Sequence, residues 1–304
     1  MKILGISAGR KMGNSEIMLK EALMKAQETS GAEVEIIRLH DLKIKPCTGC
    51  ESCMKGLLRG EEGQCVLKGD HLKYFVSKVS DADGVILSFP CYEILAPGYL
   101  LLVANRFLGS GIESRRIMAQ KHRVSAMIAV GGSDWVNLTL PSGYMALSMI
   151  GGPAKLVDQM LEIYSAPPGF VVLREKYIER AARLGTRVGE ALISPPELFS
   201  YKGEGQETCP LCHTDIVQVR GDKVVCPICE ITGDIVHKDG KLVVHFPEEQ
   251  IKKSRYSEWG LVEHNRVIAE EHQEWAVRKA EREEKTRKYA AFNCIAVPPP
   301  LTVK

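Results

Sequence analysis

The run "KILGISAGRKMGNSE", residues 2–16, decides how the chain is read. Ile3, Leu4 and Ile6 make a short apolar stretch suited to a buried strand. Asn14 and Ser15 then open the run "NSEIMLKEALMKAQETSG", in which Leu19, Ala22, Leu23 and Ala26 share one helical face and Gly31 is the stop. The strand-to-helix connection concentrates turn residues and donors. Gly9 and Gly13 allow a tight backbone path, Ser7, Asn14 and Ser15 offer hydroxyl and amide groups, and Arg10 and Lys11 offer charge. A helix N-terminus behind such a loop adds N–H groups and the positive end of its dipole, which suits an anion. The loop is neither GxGxxG nor a Walker sequence, so it argues against a dinucleotide fold and an NTPase. Taken alone, it also reads as a plain glycine-rich turn with an Asn-Ser cap.

The same strand-and-helix alternation continues for about 190 residues. "EVEIIRL" reads as a second strand, "DHLKYFVSKVSDAD" as a helix, "GVILSF" as a third strand, "PGYLLLVANRFLG" as a helix opened by Pro97, and "RVSAMIAVGG" as a fourth strand. "LPSGYMALSMIGG" is helical, "GFVVL" is the expected fifth strand, and "REKYIERAARLGTRVGEALI" is a helix burying Ala181, Leu184, Val188 and Ala191. Repeated βα units predict a doubly wound parallel five-stranded sheet with helices on both faces, an α/β fold over 1–193. The stretch "SPPELFSYKGEGQET", with Pro195, Pro196, Gly203 and Gly205, holds a linker at 194–204. A small β-rich module with Asp-Gly turns is expected over 205–246, and a charged helix and tail over 247–304. In the helix, ten Glu balance ten Lys plus Arg over 248–289, which reads as a solvated helix packing one face on the body or on a neighbouring subunit.

Composition sets limits. A net charge of +2 gives no bulk attraction to nucleic acid or to an anionic membrane. No apolar run spans a bilayer and the start is not a signal peptide, so a cytoplasmic protein is expected, with neither membrane nor nucleic acid as partner. Eight of the ten cysteines fall in two clusters, and in a reducing compartment such CxxC spacing suggests metal or redox chemistry. Cys47, Cys50, Cys53 and Cys65 have the ligand count of a [4Fe–4S] cluster, with unmetallated dithiols and zinc as alternatives. Cys209, Cys212, Cys226 and Cys229 form CxxC-x13-CxxC, a tetrahedral S₄ pattern on two knuckles. His213 and Glu230 stand where rubredoxin-like modules have Gly, which favours structural zinc (Zn) over rubredoxin-type iron. The module lacks a basic aromatic surface, so it is not read as a nucleic-acid ribbon. Arg115, Arg116, Lys121, His122 and Arg123 form a basic run that either meets a nucleotide phosphate or is a solvated edge.

The ordered set "KILGIS…RKxGNSE", "CxGCxxC…C", "ADGVILSFPCY" and "AVGGSD" resembles the NADPH-dependent FMN reductase branch of the flavodoxin-like fold, and within it the iron–sulfur flavoproteins. The resemblance covers roughly residues 1–193. It implies that Ser7, Arg10, Gly13, Asn14 and Ser15 hold the phosphate of FMN. It implies that Pro90, Cys91, Tyr92, Glu93 and Ile94 border the isoalloxazine and ribityl chain, and that Gly131, Gly132 and Ser133 approach the ring. The phosphate loop is one residue shorter than is usual in the family, which leaves open which serine meets the phosphate. No catalytic acid or base is assigned, because the flavin carries the chemistry. The resemblance implies an electron-transferring flavin oxidoreductase with NAD(P)H or a reduced carrier as donor, and a redox partner protein or small-molecule acceptor. It further implies a homo-dimer or homo-tetramer. The alternatives are an NAD(P)H-dependent FMN or quinone reductase without the cluster, and a non-enzymatic redox- or metal-sensing adaptor.

Overall fold

A computed structural model describes residues 1–59, 61, 63–107, 118–152, 154–203, 208–292 and 296. Arg115, Arg116, Gly205, Cys294 and the border between 204 and 205 lie outside the described residues. The described residues divide into two compact units, Met1–Ile251 and Lys252–Lys304.

The first unit is built on a parallel sheet of order β2-β1-β3-β4-β5, with strands Lys2–Ser7, Glu33–Arg38, Gly84–Pro90, Val124–Val130 and Lys155–Glu162. This is the flavodoxin-like order, so the doubly wound α/β expectation holds. The central strands β3 and β4 are buried along nearly their whole length, as strands covered on both faces must be. Helices α1 (Asn14–Ser30) and α6 (Glu175–Ile193) cover one face; α3 (Leu72–Asp81), α4 (Gly98–Asn105) and α5 (Thr139–Gly151) cover the other. A short helix α2, Ser52–Leu58, lies in the first cysteine loop. Helices α1 and α6 cross very closely, because Gly185 and Gly189 present bare Cα atoms to the Ala22 and Ala26 carbonyls.

The fifth strand is not "GFVVL". Phe170–Leu173 is a 3-10 turn following Gly169 in the left-handed region, and Lys155–Glu162 takes the edge of the sheet instead. Asp158 and Gln159 break that strand's apolar run, which hid it from the sequence reading. Asp158 is fully buried, and Arg180 meets it through two hydrogen bonds of 2.9 and 2.7 Å while Arg187 adds one of 2.8 Å. The run after α6 packs rather than hanging free. Phe199 joins the core under α6, and the Lys202 N–H donates to the Val157 carbonyl on β5.

The basic run also needs correcting. Arg123 is neither a nucleotide ligand nor a solvated edge. It is buried, donating to the Ala82 and Val79 carbonyls at 2.8 Å each and to the Gly151 carbonyl. Burial lowers its pKa to about 10. It precedes β4, at the amino end of the sheet and away from the loops considered below.

A second sheet, antiparallel and of order β6-β7-β8-β9, uses Gln218–Arg220, Lys223–Val225, Thr232–Lys238 and Lys241–His245. It carries the second cysteine set. A short helix α7, Glu248–Lys252, follows. In the second unit, α8 (Glu258–Val277) is capped by Ser257, whose Oγ accepts the Gly260 N–H, and α9 is Lys279–Ala291. Both carry i,i+3 and i,i+4 ion pairs on exposed faces, such as Arg266 with Glu263 and Glu270. No helix among the described residues is long and apolar enough to cross a membrane.

Candidate flavin site and metal centres

Because β1, β3 and β4 run parallel, the loops that leave them meet at one edge, where open α/β sheets bind ligands. Ser7 ends β1 and is fully buried, yet its Oγ has no hydrogen-bond partner. A buried hydroxyl left unpaired is costly, so this orphan points to a group that completes it. Gly9 lies so close to Ser15 that a Cβ there would collide with Ser15 Oγ. Arg10 is exposed at the loop, and Gly13 precedes α1 with a side-chain-free approach to Arg10. The first-turn N–H groups of α1 have no intrahelical acceptors, which makes this end a natural anion site.

The Asn14 side chain is engaged within the protein. Its Nδ2 donates to the Ser165 carbonyl at 2.5 Å and to the Pro167 carbonyl at 2.8 Å, and its Oδ1 accepts the Val171 N–H. Its amide therefore anchors the loop after β5, and both amide protons are occupied. Glu16 lies under the loop, fully buried, and accepts Arg38 Nε at 2.6 Å and Nη2 at 3.0 Å. The Arg38 guanidinium, against the cost of burial and with the Met12 N–H helping, holds the Glu16 carboxyl down at about 2.

The β3 loop forms a two-residue turn. Tyr92 N–H donates to the Leu95 carbonyl at 2.9 Å, and Leu95 N–H donates back at 3.1 Å. Its central residues, Glu93 (φ 48°) and Ile94 (φ 63°), are both left-handed. A β-branched residue there is strained, and such strain persists where surrounding contacts enforce it. Thr139, buried at the start of α5, supplies that contact: its Oγ1 lies 3.1 Å from the Ile94 carbonyl and 2.9 Å from Cys91 Sγ. Pro90 and Cys91 continue β3, and the Cys91 N–H bonds the Val130 carbonyl on β4. Tyr92 is half exposed rather than core.

After β4, Gly131 N–H donates to the Glu162 carbonyl at 2.7 Å, and Ser165 N–H donates to the Gly131 carbonyl at 3.1 Å. Gly132 lies against Ala166, and Ser133 Oγ accepts the Trp135 N–H. Ser165 is 3% exposed and its Oγ, like that of Ser7, has no partner. The β1, β4 and β5 loops are thus stitched together through Asn14, Ser165 and Gly131. Around the β3 and β4 loops lies an apolar rim: Tyr92, Ile94, Leu95, Leu138 and Trp135, the last 77% exposed. The sequence reading missed Ser165, Thr139 and the anchoring contacts of Asn14, since each depends on partners that are distant along the chain.

The two cysteine sets differ. The Sγ atoms of Cys209, Cys212, Cys226 and Cys229 lie within 4.8 Å of one another, and all four residues are buried. Among the described residues this is the one such group of three or more potential ligands. The knuckles match: His213 N–H donates to the Cys209 carbonyl at 3.0 Å and Glu230 N–H to the Cys226 carbonyl at 2.9 Å. His213 (φ 57°) and Glu230 (φ 60°) hold the left-handed positions that glycine would take. Hydrogen bonds from Cys209, Cys212 and Cys229 push the Cys226 thiol well below its usual value. A tetrahedral S₄ metal site fits this geometry.

The first set is open. Cys47 and Cys50 are exposed, and Cys53 and Cys65 are half-buried. Cys50 is lowered by the Ser52 backbone and side chain and by Thr48, whereas burial raises Cys53, with Cys65 and Cys47 as like-charged neighbours. Cys65 is held against the core, with Arg106 Nη2 donating to its Sγ at 3.5 Å. Cys91 sits elsewhere, against Thr139 and the Trp135 carbonyl.

Comparison with known proteins agrees with the fold. The chain is similar to a solved flavone reductase, with a TM-score of 0.78 and 27% identity over 98% of this chain and 100% of that one. It is 26% identical to a flavone synthase of Aspergillus candidus over 77% of each chain. It is 35% identical to an iron-sulfur flavoprotein of Methanocaldococcus jannaschii, over 44% of this chain and 63% of that one. It is 28% identical to an iron-sulfur flavoprotein of Archaeoglobus fulgidus, over 64% and 81%. The family described as NADPH-dependent FMN reductase matches residues 1–175, and the chain belongs to that family as a flavin-dependent oxidoreductase of flavodoxin-like fold.

Proposed function

We propose that the protein is an FMN-dependent oxidoreductase that passes two electrons from NAD(P)H, or another reduced carrier, to a flat conjugated organic acceptor. The apolar rim of Tyr92, Ile94, Leu95, Leu138 and Trp135 beside the cradle carries this reading. Exposed aromatic and aliphatic side chains at the mouth of a polar loop set suit a planar ring system that stacks. The whole-length similarity to a flavone reductase supports the same class of acceptor.

Ser7, Ser15 and Arg10, with the first-turn N–H groups of α1, would hold the FMN phosphate. Ser7 Oγ supports this most directly, being buried and unpaired. The Pro90–Ile94 turn and Gly131, Gly132 and Ser133 would border the ribityl chain and ring. When bound, the flavin supplies hydride acceptance and donation. Thr139 fixes the strained turn and thereby the position of Tyr92 and Ile94. Trp135, largely exposed beside this turn, would offer a stacking face.

A second reading is favoured by the ordering of Cys65: the first cysteine set carries a [4Fe–4S] cluster that relays single electrons to a redox partner. The matches to iron-sulfur flavoproteins support it. We assign a closed structural metal site to Cys209–Cys229, since its four thiolates leave no open position, with zinc expected and rubredoxin-type iron the alternative that metal analysis separates. Anaerobic purification followed by a spectrum, labile-sulfide and metal analysis, and stopped-flow reoxidation tests both readings. Rapid reoxidation by a flavone-type acceptor supports the first. Protein without FMN, or with reoxidation by one-electron acceptors alone, refutes it.

A further inference from the structure

Residues 43–71 leave the sheet and return to it, carrying all four cysteines of the first set. Hydrogen bonds close the neck of this excursion. Lys43 N–H donates to His71 Nδ1 at 2.9 Å, His71 N–H donates to the Lys43 carbonyl at 2.9 Å, and Lys45 N–H donates to Asp70 Oδ2 at 3.2 Å. One side chain joins both ends from outside. Arg106, just past α4, is 2% exposed and aims its guanidinium into the neck. Its Nη1 donates to the Lys45 carbonyl at 2.5 Å and to Asp70 Oδ2 at 2.7 Å, and its Nη2 donates to Cys65 Sγ at 3.5 Å.

Such a constellation needs arginine. The planar fork offers several donors at fixed angles, so one group can bind a carbonyl, a carboxylate and a sulfur together; lysine presents a single point charge. Asp70 neutralises the buried cation and is itself braced by the Lys45 and Leu72 N–H groups. Asp70 thus pairs the buried cation, while the Nη2 group lies against the sulfur.

We infer that Arg106 is the positioning residue of the cysteine loop: it closes the loop's neck and holds the Cys65 sulfur in place as the fixed member of the set that also includes Cys47, Cys50 and Cys53. The assignment of a cluster rests on the second reading above, whereas the clamp stands on the geometry. It also accounts for the long gap between Cys53 and Cys65. A ligand that is distant along the chain is acceptable when a buried group holds it in place beforehand.

The test uses full-length protein purified anaerobically with its FMN, in wild-type, R106Q, R106K and D70N forms. Two quantities are read: acid-labile sulfide per FMN, which a mononuclear S₄ site does not contribute, and hydrogen exchange across residues 46–65. R106Q is expected to raise exchange in that segment about tenfold and to lower sulfide several-fold, with FMN content unchanged. R106K is expected to recover part of both losses, and D70N, which keeps the sulfur contact, to lie between R106Q and wild type. Exchange and sulfide in R106Q equal to wild type overturn the proposal. Should R106Q fail to bind FMN, R106K decides, and wild-type exchange in R106K overturns it. Wild-type protein without labile sulfide sinks the cluster reading alone, and the exchange comparison then judges Arg106 by itself.

Discussion

Replacing Ser7 with alanine should move two measurements in opposite directions. In the protein without flavin, Ser7 Oγ is buried and unpaired. An orphaned hydroxyl of this kind costs about 1–3 kcal/mol, and alanine removes it with little change in volume. Ser7→Ala should therefore stabilise the FMN-free protein. For a unit the size of Met1–Ile251, each kcal/mol corresponds to about 2–4 °C in Tm, so a rise of a few degrees is expected. With FMN present the sign reverses. A hydrogen bond to a charged acceptor contributes about 1.5–3 kcal/mol, so the Kd for FMN should rise about 10- to 100-fold. The stabilisation that FMN confers at a fixed concentration should shrink accordingly. Calorimetry with and without FMN, together with a flavin-fluorescence titration, reads both effects. A lower Tm without flavin combined with an unchanged Kd would refute the reasoning and make Ser7 a packing residue.

Three further outcomes follow from the packing and the charges. Glu16→Gln should cost about 3 kcal/mol at neutral pH, from a carboxyl held at about 2 against its ordinary 4.5. A depressed carboxyl stabilises the fold above its unfolded pKa, so in urea melts the gap between the two proteins should hold above pH 5 and close as pH falls from about 4.5 toward 2; a gap independent of pH contradicts the assignment. Gly185→Ala drives a Cβ into the Ala22 carbonyl where α1 and α6 cross, and should lower stability by about 2–3 kcal/mol in denaturant unfolding. Cys212→Ser should remove one metal ion per chain and raise hydrogen exchange through residues 209–246 while FMN content stays constant; retained metal would argue against the S₄ site.

The local elements of the body were legible because their signals are local. The β1 strand, the α1 face with Leu19, Ala22, Leu23 and Ala26, and the turn glycines can be read from spacing, and all four helix-face residues are buried. The CPLC and CPIC knuckles were legible for the same reason, since spacing alone makes their sulfurs converge. The fifth strand was not, because Asp158 looks unsuited to a buried strand until Arg180 and Arg187, far along the chain, arrive to neutralise it. "GFVVL" misled in the opposite way: its apolar residues form a 3-10 turn after a left-handed glycine.

For the site, the sequence by itself determined which loops carry the donors and thiols, because strand order and parallel direction bring those loops to one edge. Only the tertiary structure decided what each side chain does there. Asn14 has the chemistry of a phosphate ligand, yet its amide protons are spent on the Ser165 and Pro167 carbonyls. Ser7 and Ser15 look alike in sequence, and Ser7 is the one left buried without a partner. Cys65 looks too far from its fellows until Arg106 is seen holding it. A residue's type sets which bonds it can make, and the fold sets which of those bonds its neighbours have already taken.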